Sequence, residues 1–286
     1  MMIIQLCGGL GNQLFQFAFG RYLKKHFPGD DVTYDVNWYS LHRKNHEIIQ
    51  LGKLGLDYSI FIPDLSQKLI YSNQYVRKLL EIITPIYGKN LICTDRNFNI
   101  QQLRPQEDAY FRGFWQSIEY AEVLKLMLLE DRRTGLFILD ESLELNQEIR
   151  ARNSVCVHIR RGDYLTNRRF GKRTHNTLDR LYYHESIVLA SEKLIDPWYY
   201  IFSDDIEWAM SASLVPSRQV TYIDPKRFDE VISFKLMLAC RNYIIANSTY
   251  SWWPAFINLG NAEFIAAPSD FALSKAFSGL SKCAVI

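Results

Sequence analysis

The chain has 286 residues, 48% of them hydrophobic, so it can bury a large core, and its length predicts two domains. Its 33 basic and 31 acidic residues leave a net charge of +2 and a pI of 8.2, which argues against a nucleic-acid binder, whose pI is typically above about 9. No run reaches the roughly 18 apolar residues of a membrane span, and five widely spaced cysteines indicate reduced thiols, so we expect a cytoplasmic protein.

Short apolar runs alternate with amphipathic runs along the chain. The apolar runs predict strands at residues 2–7, 32–36, 154–159, 199–203, 220–223, 242–247 and 263–267. The amphipathic runs predict helices that include residues 12–26, 117–129, 180–194, 227–241 and 250–259. Strands separated by helices predict an α/β protein with parallel sheets. The pattern is regular after about residue 150 and irregular over 40–110, so we place the domain boundary at 145/146.

The first predicted strand leads into a glycine turn at Gly8–Gln13, and a helix follows. A glycine turn at a helix N-terminus can bind an anion or let a ligand approach the backbone. The dinucleotide fingerprint requires a third glycine where this chain has Leu14, so a redox cofactor is not expected. The alternative is a tight turn that only packs the helix on its strand.

The third predicted strand ends at His158-Ile159-Arg160-Arg161-Gly162-Asp163-Tyr164, where two guanidiniums follow a buried strand. Guanidinium is permanently charged and planar, so it matches phosphate well. Residues 158–180 hold seven Lys or Arg against two Asp, a local positive field that would attract an anion. The alternatives are a structural ion pair with Asp163 and, for Arg168 to Arg173, a solvated loop.

Two further predicted strands end in polar residues. Ser203, Asp204 and Asp205 could bind a ribose or base, or one of the aspartates could cap the next helix. Asn247-Ser248-Thr249 precedes a helix whose free amides and hydroxyls could bind a phosphate, while Trp252-Trp253 is expected in the core. The chain has no Asp-x-Asp pair and no phosphate loop of the Walker type, so a diphosphate would be bound by arginine, hydroxyls and amides.

Five segments occur in the order seen in bacterial α-1,2-fucosyltransferases, and the chain resembles that family over nearly its whole length. These segments are Gly8–Gln13 with Phe15-Gln16, Gly113–Ser117, His158–Tyr164, Phe202–Asp205 and Asn247–Trp253. The resemblance implies a GT-B-like fold with two Rossmann-type parallel-sheet domains facing across a cleft. Residues 1–145 would form the acceptor-side domain and 146–286 the donor domain, with the option that the C-terminal segment packs back on the first domain.

The resemblance also implies the reaction. L-Fucose would move from GDP-β-L-fucose to the 2-hydroxyl of a terminal β-galactoside, with inversion and without a metal or other cofactor. Related animal enzymes carry a membrane anchor ahead of this region, and this sequence shows no such segment. We therefore expect a bacterial cytoplasmic enzyme, with peripheral contact at the inner membrane left open. The rival interpretations are a related transferase with another linkage or GDP-sugar, and a nucleotide-sugar-binding or lectin-like module without turnover.

Site residues follow from the same resemblance. The expected donor-binding residues are Gly9, Gly11, Asn12, Arg160, Arg161, Ser203, Asp204, Asn247, Ser248 and Thr249. The expected acceptor-binding residues are Asp35, Trp38, Trp115 and Gln116. The expected catalytic residues are Arg160, Asp163 and His158.

Two points of this assignment stay open at the level of sequence. The acceptor could lose its proton to Asp163, to Asp35 or His158, or late and without a side-chain base. In addition, many relatives have an acid where this chain has Ser233, so guanine recognition by that acid is in doubt and a displaced role for Asp229 is open.

Overall fold

The computed structural model describes residues 1–41, 48–62, 92–96, 98–105, 108–130, 137, 143–161, 178–215 and 218–286. The chain divides into two compact units, Met1–Thr134 and Gly135–Ile286. This division precedes the boundary predicted at 145/146. Each unit is built on its own parallel sheet.

The first unit contains a four-stranded sheet in the order β2-β1-β4-β3, and every pair is parallel. Its strands are β1 Met2–Gln5, β2 Val32–Asp35, β3 Ile92–Thr94 and β4 Ala109–Arg112. Its helices are α1 Leu10–His26, α2 Asn37–Leu41 and α3 Ile118–Glu130, with short 3-10 helices at Leu51–Leu54 and Ile100–Gln102. Every residue of β1 is buried, as expected for a parallel strand covered on both faces.

An aromatic cluster forms much of the first unit's core. Phe19 of α1 stacks on Trp115, with ring centroids 3.8 Å apart and an interplanar angle of 2°. Phe111 of β4 meets both rings edge to face. Such pairs are each worth about 0.5–1.5 kcal/mol beyond their buried area. The cluster therefore fixes α1 against the end of β4.

The second unit contains a six-stranded parallel sheet in the order β10-β9-β8-β5-β6-β7. Its strands are β5 Asn153–Ile159, β6 Pro197–Ser203, β7 Val220–Ile223, β8 Asn242–Ile244, β9 Ile265–Ala267 and β10 Cys283–Val285. Its helices are α4 Leu143–Ala151, α5 Arg180–Lys193, α6 Ile206–Ser211, α7 Glu230–Ala239 and α8 Thr249–Ile257, with a 3-10 helix at Ala272–Ala276.

Helix α8 is almost entirely buried, which confirms that Trp252 and Trp253 belong to the core. Both side chains are fully buried, and Trp252 Nε1 donates to the Leu273 carbonyl at 3.0 Å. Pro254 lies inside the helix.

The predicted α/β class is confirmed, and all seven predicted strands are present. Three short strands, β3, β4 and β10, were not predicted. Within the described ranges, no helix is both long and apolar enough to cross a bilayer.

Candidate active site

The order of strands in each sheet reverses beside the first strand of that sheet. In the first unit, β2 lies on one side of β1 and β4 on the other. In the second unit, β6 and β7 extend from one side of β5, while β8, β9 and β10 extend from the other. Parallel α/β sheets bind ligands outside the carboxyl ends of their strands at such reversals. The motifs singled out from the sequence follow β1, β4, β5 and β8, so they flank these two points.

Arg160 directly follows β5 and is held by a carboxylate from the neighbouring strand. β5 and β6 pair Ile159 with Ser203, so Arg160 and Asp204 leave the sheet side by side. Arg160 Nε lies 3.2 Å from Asp204 Oδ2, and the Arg161 backbone N–H donates to Asp204 Oδ1 at 2.8 Å. A guanidinium presents its five N–H donors in a planar fork. Because the Arg160 side chain is 33% exposed, a ligand can reach it.

Arg161 is engaged in a different structure, the cap of helix α6. Asp205 is the N-cap residue, and its Oδ1 accepts from Trp208 N at 3.1 Å. Asp205 Oδ2 lies 3.4 Å from Arg161 Nε, and the Arg161 guanidinium carbon lies 3.9 Å from the centroid of the Trp208 ring. Ser203 Oγ accepts from Asp205 N at 3.0 Å. Asp205 is therefore the cap of α6. The side chains of Arg161 and Ser203 both contact this turn, and their binding of the nucleotide sugar stays a prediction.

His158 lies in β5 and is only 4% exposed. Burial, and secondly the charge of Arg160, lower the pKa of His158 to about 3. Within the described residues its Nδ1 has no hydrogen-bond partner, and its ring centroid lies 5.5 Å from that of Tyr250 in α8. The imidazole is thus neutral at pH 7 and a poor general base, which argues against the base role considered for it.

The residues after β8 form the start of helix α8. Ser248 is the N-cap, and its Oγ accepts from Tyr250 N at 3.3 Å. Its hydroxyl proton can still be donated to a ligand. Ser248 and Thr249 are half-buried, and the first N–H groups of a helix carry partial positive charge toward an anion. Asn247 directly precedes the cap. The expected turn between a strand and a helix is therefore present, beside β5 at the reversal of strand order, and phosphate binding by it stays a prediction.

The glycine turn of the first unit lies between β1 and α1. Gly8 has φ +77°, and a Cβ there would lie 2.8 Å from Asn12 Nδ2, so the turn requires glycine. Gly9 is the N-cap of α1 and Gly11 is buried in its first turn. Asn12 Oδ1 accepts from Gln116 Nε2 at 2.9 Å. This bond joins the glycine turn to the segment that follows β4.

Two buried glutamines of α1 hold these turns in place, and sequence reasoning assigned them no role. Gln13 Nε2 donates to the Gly8 carbonyl at 3.1 Å. Gln16 Nε2 donates to the Gly113 carbonyl at 3.0 Å, and its Oε1 accepts from Cys7 N at 3.0 Å. Both side chains are fully buried. The available signal was their spacing of three residues within an apolar helix, which places two amides on one buried face.

Asp35, expected to contact the acceptor, is instead a structural residue. It is 2% exposed and its carboxylate accepts three hydrogen bonds. Oδ2 accepts from Tyr110 Oη at 2.5 Å, and Oδ1 accepts from the backbone and side-chain N–H groups of Asn37 at 2.9 and 2.7 Å. A buried carboxylate with three such partners stabilises the turn after β2, which argues against both the acceptor and the base roles considered for it.

The other expected acceptor residues separate into buried and exposed positions. Trp115 is 2% exposed and belongs to the aromatic core, which argues against its expected acceptor contact. Gln116 is exposed, and Trp38 in α2 is half-buried, so acceptor contact by these two stays a prediction.

Several expectations concern other parts of the donor site. Asp163 and the basic loop from Arg168 to Arg173 lie outside the described residues. Ser233 Oγ donates to the Phe228 carbonyl at 3.2 Å, and Asp229 Oδ1 caps α7 by accepting from Ile232 N at 2.8 Å. Asp229 thus has a local structural role whether or not it also contacts guanine.

The chain is an α/β protein with parallel sheets. The charged residues that follow β5 lie at the strand ends, where such a fold can bind an anionic ligand. Comparison with known proteins makes this specific, because the family described as glycosyl transferase family 11 matches residues 58–276. The chain belongs to this family and is a glycosyltransferase.

Individual relatives agree with this family. The chain is 30% identical to an alpha-1,2-colitosyltransferase of Escherichia coli, over 99% of this chain and 96% of the relative. It is 26% identical to the O-antigen biosynthesis glycosyltransferase WbnK of Escherichia coli, over 92% of both chains. Among solved structures, the fucosyltransferase NodZ from Bradyrhizobium superimposes with a TM-score of 0.52 at 10% identity, covering 92% of this chain and 93% of NodZ. This likeness confirms the predicted GT-B-like fold class.

Proposed function

We propose that this glycosyltransferase moves L-fucose from GDP-β-L-fucose to the 2-hydroxyl of a terminal β-galactoside, with inversion and without a metal. The observation that carries the proposal is the geometry after β5. There the Arg160 guanidinium is fixed by Asp204 and still exposed, beside the N-terminus of helix α8. This pairing of a fork-shaped cation with the positive end of a helix suits a diphosphate.

The chemistry follows from where charge develops. As the bond between the fucose anomeric carbon and GDP breaks, negative charge grows on the β-phosphate and the sugar becomes oxocarbenium-like. Arg160, the Ser248 hydroxyl and the first amides of α8 would stabilise that charge more in the transition state than in the ground state. Because Asp204 holds Arg160 in advance, little reorganisation is needed when the charge appears.

The acceptor hydroxyl attacks the face opposite GDP and must lose its proton. His158 is a poor base at a pKa of about 3, and the Asp35 carboxylate already accepts three hydrogen bonds. Two routes remain, namely Asp163 as general base and late proton transfer without a side-chain base. In Asp163→Asn, near-normal GDP-fucose affinity with kcat lower by about 10²-fold would support the base. Parallel loss of donor affinity would show that Asp163 only positions the arginines.

GDP-colitose is a second candidate donor, because the chain is similar to a colitosyltransferase over nearly its whole length. Colitose is fucose without its 3-hydroxyl, so both GDP-sugars present the same diphosphate and the same inversion chemistry. A site that hydrogen-bonds the 3-hydroxyl would disfavour GDP-colitose, because a buried polar group would be left unpaired.

The test is a direct assay of both donors. Purified protein is incubated with lactose and either GDP-fucose or GDP-colitose, and products are identified by mass spectrometry and linkage analysis, with reactions that lack the protein as the control. We expect an α-1,2-fucosylated product. Preference for GDP-colitose would establish the second donor, and another linkage would overturn the proposed regiochemistry. If lactose is not used, an array of β-galactosides defines the acceptor, and nucleotide-sugar binding without transfer to any of them would indicate a binding module.

We further propose that the reaction takes place in the cytoplasm. GDP-sugars are available there, and the five cysteines are free thiols, as expected in that compartment. The partners would then be GDP-fucose and the acceptor glycan. Peripheral contact with the inner membrane is open to a vesicle-flotation assay.

A further inference from the structure

An exposed phenylalanine lies at the reversal point of the first unit, where sequence analysis assigned it no role. Phe114 follows β4 and is 45% exposed. Its Cε1 atom lies 3.5 Å from the position that a Cβ on Gly8 would occupy, so the ring edge lies against the glycine turn after β1. This edge of a parallel sheet is where α/β folds bind ligands, so the exposed ring lies where a substrate could cover it.

The backbone around Phe114 is held in an unusual conformation. Gly113 has φ +146°, and Trp115 has φ +55°, which is rare for a residue with a side chain. A backbone strained in this way persists only where surrounding contacts impose it. Here the Phe114 N–H donates to Asp95 Oδ2 at 3.0 Å, and the Trp115 ring is stacked on Phe19. These contacts direct Trp115 into the core and leave Phe114 and Gln116 exposed on either side of it.

Two amides lie close to the exposed ring. Gln116 Nε2 donates to Asn12 Oδ1 at 2.9 Å, and Asn12 also approaches Gly8, against which Phe114 lies. A primary amide has two N–H donors and an acceptor oxygen, and this bond uses one N–H of Gln116, so the Gln116 amide can also hydrogen-bond a ligand. One apolar face and several neutral hydrogen-bonding groups are therefore close together at the end of β1 and β4.

We infer that Phe114, Asn12 and Gln116 form a platform that binds a pyranose ring of one of the substrates. Phe114 would cover the apolar C–H face of the sugar, and the Gln116 amide, held in place by Asn12, would bind its hydroxyls, as neutral polyols require both kinds of contact. The inference rests on the proposed function and adds the specificity-determining role of Phe114. The galactose of the acceptor and the fucose of the donor share this chemistry, so the experiment separates them.

The experiment compares steady-state kinetics of the wild type with Phe114→Ala, Phe114→Leu and Phe114→Tyr. Removing the ring should raise the KM of the bound sugar substrate by about tenfold or more, a typical loss for an aromatic contact at a binding site. Phe114→Leu should behave like Phe114→Ala, because it keeps apolar bulk without a flat face, and Phe114→Tyr should stay close to the wild type. The matched control is Leu126→Ala, which removes a 54% exposed apolar side chain from α3.

The pattern of KM values identifies the sugar. A raised KM for lactose alone assigns the platform to the acceptor, and a raised KM for GDP-fucose with unchanged affinity for GDP assigns it to the fucose. Unchanged values for both substrates in Phe114→Ala, or wild-type behaviour of Phe114→Leu, would overturn the inference. Circular dichroism and thermal midpoints equal to those of Leu126→Ala show that the variants fold.

Failure of the proposed function would give a different result. If the wild type transfers no fucose, binding of methyl β-galactoside and of L-fucose is followed by saturation-transfer NMR without turnover. Signals that weaken in Phe114→Ala and not in Leu126→Ala would uphold the platform even then. Equal signals in the wild type and in Phe114→Ala would overturn it.

Discussion

The two adjacent arginines after β5 have different surroundings, and the difference assigns them different roles. Arg160 is held through Nε by Asp204 and is 33% exposed, whereas Arg161 lies against the Trp208 ring and pairs with Asp205. A stacked and paired guanidinium stabilises the turn, while a tethered and exposed one can meet a ligand. Arg160 is therefore the residue from which we expect the larger effect on turnover.

The first prediction compares lysine and alanine at Arg160. Arg160→Lys should be nearly as damaging as Arg160→Ala, because lysine keeps the charge and loses both the planar fork and the Nε contact to Asp204. Loss of one donor to developing charge costs about 2.7–4 kcal/mol, or about 10²–10³ in kcat. The measurement is kcat with GDP-fucose for both variants. Retention of more than about a tenth of the wild-type kcat by Arg160→Ala would show that the residue is structural.

The second prediction concerns His158 and the pH dependence of stability. Its pKa is about 3 in the folded chain and about 6.5 when exposed, so the unfolded state takes up the proton first as pH falls. The stability associated with the neutral form is fully present above about pH 6.5 and is lost progressively between pH 6.5 and 3. At pH 5 the loss amounts to about 2 kcal/mol, from the linkage between pKa and unfolding.

Replacing the histidine by a group that does not titrate should remove this loss. His158→Gln should lose about 2 kcal/mol less unfolding free energy than the wild type between pH 7 and pH 5. Denaturant unfolding at both pH values measures the difference, and other titrating groups cancel in the comparison. Equal losses in the two proteins would contradict the low pKa.

At the scale of elements, the pattern predicted the strands that lie in regular stretches of the sequence. β5 and β6 were found because each is a run of buried apolar residues, whereas β3 and β4 lie in or beside the irregular region 40–110. Missing β4 concealed the strand reversal of the first unit. The role expected for Asp35 has a similar origin, because its partner Tyr110 belongs to β4 and no sequence pattern indicated that contact.

The turn after β6 shows another limit of sequence. Two adjacent aspartates can each cap a helix or bind a cation, and only the register of β5 against β6 decides between them. That register brings Asp204 beside Arg160 and leaves Asp205 to cap α6. By contrast, Asp179, Asp229 and Ser248 lie where N-caps are expected, and all three accept the backbone N–H that a cap requires.

The third prediction separates these two aspartates. Asp205→Ala should lower the free energy of unfolding by about 1 kcal/mol, the usual cost of losing an N-cap, with only a small change in GDP affinity. Asp204→Ala should weaken GDP binding strongly, because Arg160 loses its tether. Calorimetric titration with GDP and denaturant unfolding measure the two effects.

The matched control for this comparison is Asp179→Ala. Asp179 caps α5 in the same unit by accepting from Tyr182 N at 2.9 Å, and no role in donor binding is proposed for it. It should show the stability loss of Asp205→Ala with unchanged GDP affinity. If Asp205→Ala weakens GDP binding as much as Asp204→Ala does, the division of roles between the two aspartates is wrong.

At the scale of the whole molecule, each unit presents its motifs at the reversal of its own sheet, and the two sets differ in chemistry. The second unit offers guanidinium, hydroxyl and helix amides after β5 and β8, which suit a diphosphate. The first unit offers an aromatic ring and neutral amides after β1 and β4, which suit a sugar. The sequence predicted the charged set, because arginines next to a strand are conspicuous. In the first unit it predicted acceptor contact by Trp115, whereas the structure buries Trp115 and exposes Phe114.

The last prediction is that donor binding does not depend on a divalent metal. A diphosphate carries negative charge that many nucleotide-sugar sites neutralise with a metal held by an Asp-x-Asp pair, and no such pair occurs in this sequence. Here the charge would be met by Arg160, the Ser248 hydroxyl and the N-terminal amides of α8. We expect the dissociation constant of GDP and the kcat with GDP-fucose to be unchanged within about twofold after exhaustive dialysis against EDTA, since these donors are part of the fold. Arg160→Ala supplies the comparison, because its GDP affinity should fall equally with and without EDTA. Loss of activity in EDTA that Mn²⁺ or Mg²⁺ restores would show that these groups do not replace a metal.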